Sequence, residues 1–274
     1  MKVSVKYPKV RFFNCSVHQP YASVCTYYSR IYEGKFITGA IAGAMSKNGR
    51  IGYVGSYPIH GVTASINAFA LGAQMTNPDA KIELKWACVP GNPTMEFLAD
   101  GIRVISNRDT PVENYLVTEY GTYISDDEGH LTSLGSPTWM WGQFYDNVVR
   151  SILSGNWEDE KAGQIVNLWW GMGSGVIDVK LSPNLPDGVR VLANMLKEGI
   201  SSGRLDPFAR KIVDQQGNVR NDGTGTFTPV ELLEMNWLCD NVVGGFPDFE
   251  DVFSHAKPVV QLLGVDSVVE GGSL

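Results

Sequence analysis

Four of the chain's seven tryptophans fall in two short glycine-flanked stretches, Trp139-Met140-Trp141-Gly142 and Trp169-Trp170-Gly171-Met172-Gly173. Indole is costly to leave in water and its N–H needs a partner. Paired tryptophans beside glycines therefore suit a flat π ligand that approaches the backbone closely. Packing between domains is an equal alternative on these residues alone. A second group is Asn107 and Asp109, in the polar run Ser106-Asn107-Arg108-Asp109. Asparagine both donates and accepts, and aspartate accepts from amino or hydroxyl groups, which is what orienting a ligand requires. A solvated loop accounts for the same pair. Asp178, inside the apolar run Val176 to Val179, is a third candidate, with a buried cap acceptor as its alternative.

Bond-breaking chemistry lacks its parts. The four histidines (His18, His60, His130, His255) each stand alone, with no Glu-x-x-His and no adjacent nucleophile, and no G-x-S-x-G elbow is present. His60 follows a strand and is the one placed to touch a ligand, though a satisfied surface histidine is the better account of it. Gly171 to Gly175 is glycine-rich but precedes a strand instead of opening a helix, which disfavours a phosphate cradle. The four cysteines form no C-x-x-C pair and read as free or buried thiols, with a Cys15–Cys25 bridge as the alternative in an oxidising compartment. No catalytic residue, metal ligand or cofactor is therefore expected. A formal net charge of −7 with no cluster of Lys or Arg excludes a nucleic-acid surface. No stretch approaches the roughly 20 apolar residues that cross a bilayer.

The elements that must position these residues are organised around Arg50 to Met75. Arg50–Gly55 is a short apolar run, Ser56-Tyr57-Pro58 breaks it, and Val62, Ile66, Phe69, Ala70 and Ala73 then repeat with helical spacing. Strand, tight exit and helix open a βαβ unit, whose ligands sit beyond the carboxyl ends of the strands, near Ser56 and Tyr57. Neither G-x-G-x-x-G nor a Walker lysine follows, so no dinucleotide or nucleoside triphosphate is indicated. Ser23 to Met45 reads as one helix, its small residues Gly39, Ala40, Ala42, Gly43 and Ala44 suited to close packing against a neighbouring backbone. Lys81–Trp86 and Gly101–Ser106 read as further parallel strands, joined by a near-minimal crossover at 87–100.

Lys9–Asn14, Leu116–Tyr120, His130–Leu134 and Gly175–Val179 are shorter strand candidates. Gln143–Ser154 and Asp187–Ser202 are amphipathic helices. Thr228-Pro229-Val230-Glu231 is a capping box with proline at its first turn, opening a last helix to about Val243. The tail beyond Pro247 reads as a loose extension.

Several stretches in series resemble the basic membrane protein (BMP) family of ABC-transporter solute-binding lipoproteins, which includes purine-nucleoside receptors. They are Tyr32-Glu33-Gly34-Lys35-Phe36 with Gly39 and Ala42-Gly43; Ile51-Gly52-Tyr53-Val54-Gly55 with Pro58 and Ile59; and Ile66 to Gln74. Ser136-Pro137-Thr138-Trp139-Met140-Trp141-Gly142, Trp169 with Gly171-Met172, Gly175-Val176-Ile177-Asp178, and Asp206-Pro207-Phe208 complete the series. The ordered set spans about residues 9 to 247 and is most similar to the branch with a Trp-x-Trp-Gly motif.

That resemblance implies an α/β, periplasmic-binding-protein type I-like fold with one complete and one partial lobe. The partial first lobe would be 1–45, the second lobe 46–203, the crossover back 204–247 and a C-terminal extension 248–274. It implies a receptor that closes on a purine base or nucleoside and delivers it to an ABC permease. The carried-over ligand-binding residues are Tyr57, Pro58, Asn107, Asp109, Trp139, Trp141, Trp169, Trp170 and Gly171, with Asp178 beside them. The family's first strands and acylated cysteine have no counterpart here. The resemblance therefore implies a preceding segment of the same protein that completes the cleft and places it outside the cytoplasm at the membrane. A ligand-sensing regulatory module of a cytoplasmic protein is the alternative, and a nucleoside-acting enzyme a weaker one.

Overall fold

The computed structural model describes residues 2–16, 24–107, 121–155 and 168–269. In chain order its elements are α1 (Lys2–Lys6), β1 (Phe12–Cys15), β2 (Val24–Ser29), α2 (Ile31–Met45), β3 (Arg50–Gly55), α3 (Val62–Thr76), β4 (Lys81–Trp86) and α4 (Pro93–Ala99). Then come β5 (Val104–Ser106), β6 (Thr122–Ser125), β7 (Leu131–Trp139), α5 (Trp141–Leu153), β8 (Leu168–Trp170), β9 (Ile177–Leu181) and α6 (Asp187–Ser201). The chain closes with β10 (Lys211–Val213), β11 (Val219–Asp222), α7 (Pro229–Leu233), β12 (Val242–Val243), α8 (Lys257–Leu263) and α9 (Asp266–Val269).

The stretch around β3 folds as its pattern dictates. β4 and β5 flank β3 and both run parallel to it. Ile51 to Gly55 are all buried, as befits a parallel strand covered on both faces. Among the described residues this sheet is ordered β12-β4-β3-β5-β6-β7-β9. β12 extends the parallel half, whereas β5, β6, β7 and β9 pair antiparallel. A second, parallel sheet, β1-β2-β8, shares an aromatic cluster with α5 built on Tyr27, Phe144 and Val176.

Helix α2 is buried on every side from Ile31 to Gly43, the signature of a core helix. It packs against α3 and against β7, β9 and α6. The approach to α3 is backbone to backbone. A methyl group on Gly39 would overlap the carbonyl oxygen of Phe69, and one on Gly72 that of Phe36. Thr76 Oγ1 crosses the same seam to donate to the Ala40 carbonyl, 2.8 Å away. The small-residue run thus sets the depth of α2, and with it the position of the residues at its first turns.

Three sequence expectations are corrected. Val24 to Ser29 is a strand, not the start of a long helix, because Val24-Cys25-Thr26-Tyr27-Tyr28 pairs with both β1 and β8. Long-range pairing outweighs the helical spacing of Tyr28 and Tyr32. The last helix stops at Leu233 although its capping box forms as expected. Beyond it, Asn67 and Asn241 hold the backbone in another path: Asn67 Nδ2 donates to Trp237 O (2.8 Å), Cys239 N–H donates to Asn67 Oδ1 (2.9 Å), and Asn241 Nδ2 donates to Ala70 O (3.0 Å). The tail is not loose, because Val252, Ala256, Val260, Val265 and Val268 are all buried in the main core. The strand expected over Leu116–Tyr120 lies outside the described residues.

Candidate functional site

Parallel strands β3 and β5 end side by side, and their exits open into a cavity of about 580 Å³. Sites for small molecules span about 300–1,000 Å³, so the space suits one compact ligand. Its wall draws on distant parts of the chain: Tyr28 on β2, Lys35 on α2, Ser56 and Tyr57 after β3, Asn107 after β5 and Trp139 at the end of β7.

Lys35 is the charged group of this wall. It is 3% exposed. Its Nζ donates to Ser106 Oγ at 3.2 Å and stands 4.8 Å from the centre of the Tyr53 ring. A buried ammonium is tolerated only where such contacts replace water. It offers the cavity a donor and never an acceptor, while Asn107 offers both. Trp139 is fixed by its indole N–H, which donates to Ser29 Oγ at 2.7 Å. With that hydrogen bond made inside the protein, what the residue adds to the wall is apolar ring surface.

The remaining sequence candidates separate. Tyr57, Asn107 and Trp139 line the cavity together. Pro58 is buried beside it, and its carbonyl accepts from Val265 N–H at 3.1 Å. Trp169 is the strand partner of Tyr28 and so sits next to the wall, tilted against Tyr32 at 5.8 Å between ring centres. Its indole N–H is buried without a partner among the described residues. Trp141 and Trp170 belong to the aromatic cluster under α5, edge-on to Phe144 at 5.8 and 5.1 Å. Gly171 makes room for a carboxylate: Glu33 packs against it and accepts from Met172 N–H at 2.6 Å. Burial pushes the Glu33 carboxyl above its usual value, an effect opposed by that hydrogen bond and by Arg30 at 3.4 Å. Asp178 pairs with Lys197 (2.6 Å) on the β9–α6 side and does not line the cavity. Asp109 lies outside the described residues.

His60 donates its backbone N–H to Leu263, and His130 pairs with Asp126. Cys15, Cys25, Cys88 and Cys239 are not joined in disulfides. Ser56 lines the wall at the strand exit where the sequence placed a ligand, whereas sequence reasoning missed Tyr28 and Lys35 as direct wall residues. Lys35 carried a signal, as the one basic residue in a helix whose only other charge is Glu33.

The family model for the PnrA-like ABC transporter substrate-binding proteins (Bmp) matches residues 1–89. A purine-binding protein of Brucella abortus is 30% identical over 260 residues, covering 90% of this chain and 73% of its own length. A putative ABC transporter glucose-binding protein of Haloferax volcanii is 29% identical over 222 residues, covering 76% of this chain and 55% of its own. Among solved structures, an ABC transporter system solute-binding protein of Conexibacter woesei superposes with a TM-score of 0.52 at 14% identity, over 75% of this chain and 73% of that one. A transcriptional activator of the comK gene from Bacillus halodurans gives 0.55 at 20% identity, over 75% of each chain. The structural likenesses establish a periplasmic-binding-protein-like α/β fold. The chain belongs to the Bmp family of PnrA-like ABC transporter substrate-binding proteins.

Proposed function

We propose that the cavity beyond β3 and β5 binds a purine base or nucleoside, non-catalytically, for delivery to an ABC permease on the outer side of the membrane. The observation that carries this reading is the pairing of ring surface with directional polar groups in one space of ligand size. Tyr28, Tyr57 and Trp139 offer aromatic area, and Lys35 and Asn107 offer a fixed donor and a donor–acceptor amide. A purine presents a π face and an edge of ring nitrogens and exocyclic groups, which such a wall matches. Stacking on one aromatic side chain contributes about 1–3 kcal/mol, by analogy with single-strand binders. The Brucella relative's name points the same way. A sugar is the second reading, favoured by the name of the Haloferax relative.

Titration of the intact protein that carries this chain with adenine, adenosine, guanosine and glucose, followed by tryptophan fluorescence and calorimetry, separates the two. Purines should quench the fluorescence and release heat at concentrations where glucose does neither, and Trp139→Leu should weaken the purine response. Binding of glucose in preference to every purine would refute the proposal.

A further inference from the structure

The C-terminal tail lies across the carboxyl ends of β3 and β4. On one side Phe253 N–H donates to the Cys88 carbonyl just beyond β4, at 2.8 Å. On the other, His60 N–H donates to Leu263 O (2.9 Å), Val265 N–H donates to Pro58 O (3.1 Å), and Ile59 bridges Gly264. Both loops that leave the central strands toward the cavity are therefore tied to the tail. At the first anchor an exposed turn is held between two buried residues. Val252 and Ala256 are buried at 2% and 1%, whereas Phe253 is 37% exposed and His255 is exposed. The two exposed rings stack on each other, 5.5 Å apart and 15° from parallel, and both line the cavity together with Ala87.

An apolar ring left in the open, stacked on an imidazole and lining a ligand-sized space, has a purpose that core packing does not supply. We infer that Phe253 and His255 form a ligand-contacting aromatic wall that the tail adds to the cavity, taking planar heteroaromatic molecules. The stacked pair presents a continuous ring surface, and the imidazole adds a nitrogen that donates or accepts at the ligand's edge. The inference rests on the purine reading only for the class of ligand. The tail's part in the wall follows from the geometry alone.

The test measures affinity of the intact protein that carries this chain, and of its Phe253→Ala, His255→Ala and Leu262→Ala variants, for adenine, adenosine and glucose by calorimetry, with thermal melts beside each. Leu262 is 60% exposed on the same tail and does not line the cavity. Purine affinity should fall about tenfold in each ring variant and stay unchanged in Leu262→Ala. Should a ring variant melt early, Phe253→Leu and His255→Gln replace it. Unchanged purine affinity in both ring variants would overturn the inference and leave the purine reading standing. Glucose binding that the ring variants lose would uphold the tail's role and defeat the purine reading. Failure of the unaltered intact protein to bind any of the three would defeat both.

Discussion

Replacing Gly39 by alanine tests how the site is positioned. In a solvated helix this change stabilises by about 1 kcal/mol, because glycine loses more backbone freedom on folding. Here the new methyl would lie 2.8 Å from both the Cα and the carbonyl carbon of Phe69, and closer still to its oxygen. Carbon atoms at ease stand about 3.5–4.0 Å apart, so α2 and α3 must part by most of an ångström. No side chain can rotate to relieve the overlap, since every atom involved is backbone. Overpacking of this kind costs about 1–3 kcal/mol, and a rigid backbone contact belongs at or beyond the upper end.

Subtracting the propensity gain leaves a net loss of about 2 kcal/mol, or about 4–8 °C in melting temperature for a chain of this size. Differential scanning calorimetry measures it directly. Gly188→Ala is the control, because a methyl there meets nothing within 4 Å, and it should be neutral or slightly stabilising. Purine affinity should fall in Gly39→Ala as well, since Lys35 lies one turn earlier on the same helix. If Gly39→Ala melts at or above the parent, the packing argument is wrong and α2 is not held by its small residues.

Two other outcomes follow from buried polar groups. Asn67→Ala removes the partners of Trp237 O and Cys239 N–H, and an orphaned buried group costs about 1–3 kcal/mol. Amide exchange should accelerate at Cys239 and Val242, and unaltered protection there would contradict the assignment. Asp214 is fully buried, and burial pushes its carboxyl up. Hydrogen bonds from Asn218, Arg220 and Gln216 outweigh burial and hold it at about 2, below the ordinary 3.8. Because the folded value is the lower one, its contribution is complete above the unfolded value and is lost as pH falls through about 2. Melting temperatures of the parent should therefore drop between those two pH values more steeply than those of Asp214→Asn.

Local chemistry made much of this protein legible in advance. The β3–α3 unit follows from an apolar run, a proline break and a 3.6-residue period. The Thr228 cap follows from its side chain and Glu231, and the tight α2–α3 seam from the glycines and alanines of one helix. Tyr57 and Asn107 could be singled out because they stand where strands end, and Trp139 because tryptophans cluster beside glycine in its stretch. These are short-range effects, decided within one or two turns of chain.

What the sequence left open are questions of meeting. Trp139 and Trp141 are two residues apart on the chain, yet one lines the cavity and the other is packed under α5, because the change from strand to helix at Met140 turns their side chains to different neighbours. Val24 to Ser29 became a strand only because β1 and β8 were there to pair with it. The tail carried no periodic signal strong enough to place it, and Phe253 and His255 reached the cavity through backbone bonds to residues some 165 to 205 positions earlier. Propensity and spacing act through neighbours on the chain, while a pocket is a coincidence of surfaces far apart on it. Which aromatic residues face that pocket was therefore decided by the tertiary fold.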